Sequence, residues 1–333
     1  MSGTVTVASE FVPAQSGLLR VGTRGSALAV AQTRTVATAL ARATDCDVHV
    51  TTITTQGDLS PEPLAQLGGE GVFATALRQA LLSGTCDLLV HSLKDLPTQP
   101  TDGLVVASTP KRLDPRDALC SRDDLTLDQL PAGARVGTGS PRRIAQLKRK
   151  RPDLKVISLR GNVDTRLGRV ASGDLDAVVL SAAGLARLDL LDRVTEYFTL
   201  PSTPTAPGQG ALALEIRQED NRVGHPIARA VATIDHVTTR ASVMAEREVL
   251  SRLGVGCQAP IGASALVDDG LLFLTATLYA HDGSRAATAS HAATPDSLSA
   301  DDLAEAASDV GARVAAELRE SGVELGESIG GTT

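Results

Sequence analysis

Two sets of residues in this chain have the types and spacing for chemistry. Lys94 and Asp95 stand together in "HSLKDLP", directly after the apolar run "DLLV". A carboxylate in that place can transfer a proton or face a developing cation. The plainer reading is a salt-bridged turn. Lys94 alone would suit a Schiff-base enzyme, but nothing else in the sequence strengthens that reading. His91, in the same stretch, reads as a satisfied structural histidine rather than a base. The second set is arginine: Arg142 and Arg143 in "GSPRR", Arg160 and Arg166 in "LRGNVDTR", Arg187 in "AGLAR", and Arg24 beside Ser26 in "TRGS". A guanidinium fork binds carboxylate or phosphate through two parallel bonds, so several around one cleft would hold a ligand with many acid groups. Taken singly, each is equally a surface residue. To these is added one isolated thiol, Cys257 in "GVGCQAPIG", with no other Cys or His within fifteen residues. It is either a half-buried, inert cysteine or a presented thiol that reacts or carries something.

Charge narrows the ligand. The 333 residues carry a formal net charge of −7, yet Arg135 to Arg169 contains eleven Lys or Arg against two acids, a local +9. Such a field points to an anionic partner. Nucleic acid is disfavoured because aromatics make up 2% of the chain and Trp is absent, which leaves almost no stacking platform. Part of the cluster, Lys148 to Arg151 in "LKRKRPDLK", reads as a solvated helix end. Four widely separated cysteines with no CxxC pair indicate neither a zinc site nor a disulfide framework, and fit a reducing cytoplasm. No basic-then-apolar leader opens the chain and no run approaches 18 apolar residues, so neither export nor a membrane span is expected.

The elements that must position these groups show in a comparison of the chain with itself. "RVGTRGSALAVAQ" at 20–32 matches "RVGTGSPRRIAQ" at 135–146, and "SGTCDLLVHSLKDL" at 83–96 matches "SGDLDAVVLSAAGL" at 172–185, in the same order. Two domains of similar architecture follow. Each copy reads as a short strand, a Gly/Ser/Thr turn and a helix, with Ser26 and Ser140 as N-caps. That arrangement aims backbone N–H groups and the helix dipole at an anion. The second half of each copy, "DLLV" or "DAVVL", predicts a strand buried on both faces of a parallel sheet, and ligands of open α/β sheets bind at such carboxyl ends. "PTAPGQGALALEIR" at 204–217 is a Pro/Gly loop and then a strand, suited to return the chain to the first domain. Beyond about 232 a smaller α+β domain is expected: a helix into the cysteine loop, a strand "LLFLTATLYA", and a helix with Leu303, Val310, Val314 and Leu318 on one face.

"GTRGSALAVAQT", "HSLKDLP", "DPRDAL", "VGTGSPRR", "SLRGNVDTRL", "APGQGALALE" and "GVGCQAPIGA", in this order over residues 20 to about 290, closely resemble the porphobilinogen deaminase (hydroxymethylbilane synthase) family. The resemblance implies two periplasmic-binding-protein-like α/β domains with a smaller α+β C-terminal domain, divided as 18–112 with a return segment 210–230, 113–209, and 232–320. It implies that Cys257 carries a dipyrromethane cofactor through a thioether. It further implies that four porphobilinogen molecules condense head to tail on that cofactor, each losing ammonia through an azafulvenium-like cation, before hydroxymethylbilane is released. By the same resemblance Asp95 stabilises the pyrrole N–H cation and assists proton transfers. Ser92, Lys94, Ser140, Arg142, Arg143 and Gln209 hold the cofactor. Arg24, Ser26, Arg160, Arg166 and Arg187 bind the substrate's carboxylates, and no metal is implied. A cytoplasmic monomer with no nucleic-acid or membrane partner is expected.

The chain departs from the family's pattern at Glu70 in "GGEGVF", where a basic residue is common, and at Gly139 and Pro141 in the "GTSSLRR" form. The ends, roughly 1 to 18 and 320 to 333, lie outside the resemblance. Two rivals remain at the level of sequence: a non-catalytic anion-binding protein, for which the basic cleft suffices, and a nucleic-acid binder. A pure binder needs neither the Cys257 loop nor Asp95.

Overall fold

Short apolar segments that end in Gly, Ser or Thr make the central strands, and the helices follow where a serine caps the next turn. In the computed structural model, which describes residues 3–55, 74–256 and 258–323, the chain divides into two units. The first is Met1–Arg112 with Ala211–Arg240 and the second is Leu113–Gly210 with Ala241–Thr333.

The first unit holds β1 (Val5–Ala8), β2 (Leu18–Arg24), α1 (Ala27–Thr44), β3 (Asp47–Ile53), α2 (Thr75–Leu82), β4 (Leu88–Ser92) and β5 (Leu104–Ser108). The second continues with β6 (Asp117–Ser121), β7 (Arg135–Gly137), α3 (Pro141–Lys150), β8 (Lys155–Ile157), α4 (Val163–Ala171), β9 (Ala177–Ser181), α5 (Ala182–Arg187) and β10 (Glu196–Tyr197). The chain then gives β11 (Leu212–Arg217) and α6 (Pro226–Ala232) to the first unit.

The first sheet has the order β1-β3-β2-β4-β11-β5 and the second β10-β6-β9-β7-β8. Without the edge strand β1, the two read β3-β2-β4-β11-β5 and β8-β7-β9-β6-β10. Directions agree as well: three parallel strands, then an antiparallel one, β11 or β6, then a last strand antiparallel to it. The internal repeat in the sequence is therefore a repeat of topology, with β2 matching β7 and β4 matching β9. These are two α/β domains of one topology, and a smaller α+β domain follows.

The expectation of a parallel sheet needs one correction. β4 and β9 are buried along their length, as their apolar runs require, but each has one parallel and one antiparallel neighbour. The antiparallel neighbour comes from a distant segment with no local crossover helix, so a local apolar pattern carries no sign of its direction. The glycine of each "RVGT" has a packing reason. A Cβ on Gly22 would lie 2.7 Å from Leu89 Cδ2, and one on Gly137 would lie 2.6 Å from Leu175 Cδ1.

Apolar burial holds each sheet to its helices. In the first unit Val36, Leu40 and Ala41 of α1 and Ile227 and Val231 of α6 pack on Val21, Val50, Leu214 and Ile216. Each such large side chain contributes roughly 1.5–3 kcal/mol when fully buried. In the second unit one layer gathers Leu167, Val170 and Leu185, and another gathers Leu127, Leu147 and Phe198.

The C-terminal part consists of α7 (Val237–Leu253), the antiparallel sheet β12 (Ile261–Asp268), β13 (Leu271–Tyr279), β14 (Ala286–Ala293), and α8 (Ala300–Glu320). Leu303, Val310, Val314 and Leu318 form the buried face of α8 as the 3.6-residue period predicts, against Leu272, Leu274 and Leu278. Among the described residues, no helix is long and apolar enough to cross a membrane.

Candidate functional site

In the first unit β2 ends at Arg24 and Ser26 starts α1. Ser26 has extended backbone angles and its Oγ accepts the Ala29 N–H at 3.3 Å, the N-cap expected from the sequence. Arg24 and Ser26 are both half-buried. One strand over, β4 runs into a single 3-10 turn, Leu93–Asp95. The buried Leu93 and Leu96 pin that turn on either side, and the Leu93 N–H donates to the Ala211 carbonyl at 3.1 Å. Lys94 is half-buried and Asp95 is exposed. The turn therefore presents Asp95 outward, and its own surroundings are wet. Ser92 is tied to α1, its Oγ 2.8 Å from Gln32 Nε2 and 3.0 Å from Gln32 Oε1.

His91 points the other way, into the sheet. Its Nε2 lies 3.1 Å from Glu215 Oε2, and Glu215 also accepts Arg78 Nε and Nη2 at 3.1 and 2.8 Å. Burial pushes the Glu215 carboxyl up, but His91 and Arg78 outweigh it and hold the group below the usual range. His91 is thus the structural histidine that the sequence suggested.

The second unit repeats the strand-turn-helix device with a different content. Ser140 Oγ accepts the Arg143 N–H at 3.5 Å, and Pro141 opens α3 with its φ already suited to a helix. This helix start turns the next two residues inward: Arg142 is 2% exposed and Arg143 7%. Both meet Asp117, which is fully buried at the start of β6. Arg142 Nη1 donates to Asp117 Oδ2 at 2.7 Å, to Gln146 Oε1 at 2.8 Å and to the Pro204 carbonyl at 3.2 Å. Arg143 Nε and Nη2 donate to Asp117 Oδ1 at 3.1 and 2.6 Å, while its Nη1 takes the Val179 carbonyl at 2.9 Å. Gln209 joins them, Nε2 donating to Asp117 Oδ1 at 2.8 Å and to the Pro115 carbonyl at 2.7 Å.

Three sequence-selected residues, Arg142, Arg143 and Gln209, therefore converge on one carboxylate that was not selected. Burial raises the Asp117 pKa, but the two guanidiniums outweigh it and keep the carboxyl well below its ordinary value. Two cations against one anion leave a net +1. Arg142 Nε is buried with no acceptor among the described residues. A donor left over in a positively charged cluster suits an acidic ligand.

The remaining arginines are spread over the same unit. Arg187 is half-buried at the end of α5, donates Nη2 to the Gly210 carbonyl at 2.9 Å, and is pulled by burial to a pKa of about 10. Gly210 is held at φ +87°, where a Cβ would lie 2.7 Å from the Leu113 carbonyl. Arg166 folds back onto the Gly161 carbonyl at 2.8 Å, and Arg160 is exposed. Lys148 and Arg149 are exposed, as a solvated helix end requires, but Lys150 donates Nζ to Ser202 Oγ at 3.1 Å and lies over the Phe198 ring, and Arg151 departs further from that reading. It donates to the Leu127 and Leu130 carbonyls at 2.6 and 2.9 Å and pairs with Asp153.

Cys257 and Glu70 lie outside the described residues. The other three cysteines, Cys46, Cys86 and Cys120, are free. Cys86 and Cys120 are buried, and that burial pushes their thiols to about 12 and about 11. The helix leading to the cysteine loop carries a buried acid, Glu246, which accepts the Gly208 N–H at 2.7 Å and the Ala265 N–H at 2.9 Å. It joins the "APGQG" loop to β12. Asp117, Glu215 and Glu246 are not marked out by the sequence reading; of the three, only Glu215, between Leu214 and Ile216 in β11, carries the available sign of a buried, partnered carboxylate, an acid flanked by apolar residues.

The fold is that of a protein of two α/β domains of one topology, each with a serine-capped helix start after a central strand, and an appended α+β domain. Residues 19–225 match the family described as "Porphobilinogen deaminase, dipyromethane cofactor binding domain", and residues 241–320 match "Porphobilinogen deaminase, C-terminal domain". The chain is 63% identical over 308 residues to a porphobilinogen deaminase of Leifsonia xyli, covering 92% of this chain and 94% of that one. It is 49% identical over 306 residues to that of Thermobifida fusca, with the same coverage. The chain belongs to the porphobilinogen deaminase family. The likeness to a solved immunogenic lipoprotein A from Vibrio vulnificus, 12% identical over 65% of this chain and 94% of that one with a TM-score of 0.41, is too slight to bear on this.

Proposed function

We infer that this chain is a hydroxymethylbilane synthase, a deaminating transferase that condenses four porphobilinogen molecules on a dipyrromethane group held through the Cys257 thiol. The match to porphobilinogen deaminases over nine-tenths of both chains carries the reading. The fit of the residues supports it: a cluster of net +1 with a spare buried donor, two serine-capped helix starts and the half-buried Arg187 suit a ligand rich in carboxylates. The non-catalytic binder accounts for these features but gives no role to the outward carboxylate of Asp95.

Ser92, Lys94, Ser140, Arg142, Arg143 and Gln209 would hold the dipyrromethane, and Arg24, Ser26, Arg160, Arg166 and Arg187 the carboxylates of incoming substrate. When bound, the group would supply the free pyrrole α-carbon from which the chain of rings starts. Asp95 acts on the substrate. As the aminomethyl nitrogen leaves as ammonia, positive charge spreads over the pyrrole, and a fixed carboxylate at its N–H lowers the energy of that state more than that of the neutral ground state. The same carboxylate takes up the proton lost when aromaticity returns. Because Asp95 is exposed, the water must be displaced by the ligand itself.

The domains of the reading are 18–112 with 210–230, 113–209, and 232–320, acting as a cytoplasmic monomer. Asp95→Asn tests the assignment. It keeps the size and removes the charge, so turnover falls on the order of a hundred- to a thousandfold with a smaller change in KM, while Asp95→Glu retains part of the activity. Asp95→Asn turning over porphobilinogen at the parent rate would place the catalytic group elsewhere.

A further inference from the structure

We propose that Asp117 is a positioning residue for cofactor loading: it fixes the Arg143 guanidinium and the Gln209 amide so that the Ser140–Arg143 turn is set before an acidic ligand arrives. This rests on the functional reading above. Asp117 is engaged on both oxygens by the protein's own donors. Its Oδ1 takes three N–H groups, from Arg143 Nε, Arg143 Nη2 and Gln209 Nε2, and its Oδ2 takes Arg142 Nη1. A carboxylate offers about four lone-pair sites, two on each oxygen, so Oδ1 is saturated and Oδ2 already holds one donor. With zero exposure it touches neither substrate nor solvent. Its effect passes through the residues it holds.

Those residues need holding. Arg142 and Arg143 are consecutive cations in the first turn of α3, and no acid lies in that turn. Without the carboxylate, the buried guanidiniums would repel each other and turn toward other acceptors. With it, Arg143 is fixed by two bonds to Asp117 and one to the Val179 carbonyl. Asp117 also lowers the cluster from two positive charges to one. The spare Arg142 Nε, buried and without an acceptor among the described residues, leaves the cluster one acceptor short of completion by those residues, a place an acidic group would fill.

Chemical rescue tests the proposal. Asp117→Ala leaves a carboxylate-sized hole facing two guanidiniums, and formate fits it. The protein is made without cofactor, incubated with porphobilinogen in sodium formate or in sodium chloride of equal ionic strength, and followed by intact mass and thermal melt. The parent gains the dipyrromethane mass in both salts. A parent that gains none contradicts the functional reading rather than this one. In chloride the variant loads on the order of a hundredfold more slowly, and formate restores much of the rate. Loading at the parent rate in chloride overturns the proposal. So does a formate effect that restores the melting temperature and leaves loading slow, because Asp117 would then be structural only. If Asp117→Ala yields no folded protein in either salt, Asp117→Glu decides. Its carboxylate is displaced by one methylene, so loading slows in a protein that melts cooperatively, and an unchanged loading rate overturns the proposal.

Discussion

Arg142→Ala separates a side chain built into the second unit from one that merely lines a surface. Three acceptors depend on Arg142 Nη1: Asp117 Oδ2, Gln146 Oε1 and the Pro204 carbonyl. Their fates differ on truncation. Pro204 keeps Gln146 Nε2 at 2.8 Å, and Asp117 keeps Arg143 and Gln209. Gln146 Oε1 loses its donor in a buried place, which costs about 1–3 kcal/mol. Breaking a buried ion pair by removing one partner costs about 3–5 kcal/mol when the other charge is left bare. Since Asp117 retains one guanidinium, the low end applies, and the expected loss is about 3 kcal/mol. For a unit of this size that corresponds to a fall in Tm of about 6–12 °C. Calorimetry on the cofactor-free proteins measures it directly. A melting temperature within a degree or two of the parent would refute the reasoning, because it would mean the cluster adds nothing to the fold.

The buried carboxylates set the acid limit of stability. Arg142 and Arg143 hold the Asp117 pKa below its unfolded value, and Arg78 and His91 do so for Glu215. Their contribution is therefore complete above about pH 4–5, the unfolded carboxylate range, and is lost as pH falls from there toward the folded values. Urea midpoints should hold level from pH 7 to 5 and drop below, and a level midpoint down to pH 3.5 would contradict this. Arg151→Ala should lower stability by about 1–2 kcal/mol through two lost carbonyl contacts, while Lys148→Ala, on the exposed helix end, should change it by less than about 0.5 kcal/mol. Equal effects in denaturant titration would show that Arg151 is as solvated as its neighbours.

Much of this architecture is legible in the sequence because its signals are local. Ser26 and Ser140 cap helices since a hydroxyl before a helical run has one obvious use, and the period of Leu303, Val310, Val314 and Leu318 admits one buried face. The antiparallel strands β11 and β6 are silent in that respect, because their pairing depends on segments far away in the chain. The arginines show both the strength and the limit of reading by type. Arg142 and Arg143 were selected as forks for a ligand's acids, and the cluster does carry excess positive charge. What type and spacing leave out is that Asp117 already occupies the Arg143 fork and takes Nη1 of Arg142, since a carboxylate in "DPRDAL" becomes their neighbour only once β6 lies beside β9. Arg151 was hidden for a similar reason: within "KRKR" it looks like its neighbours, and only the fold brings the Leu127 and Leu130 carbonyls to it.

The central claim, that this chain builds hydroxymethylbilane on a group anchored at Cys257, is tested most directly by mass. Protein isolated from cells that make porphobilinogen is weighed intact and then digested. The account predicts a mass above that of the sequence by one dipyrromethane, carried on the peptide containing Cys257 and absent from Cys257→Ser. Cys86 and Cys120, buried with thiols pushed to about 12 and about 11, should be unmodified. Fully active protein whose mass equals that of its sequence, or an adduct on any other cysteine, would contradict it.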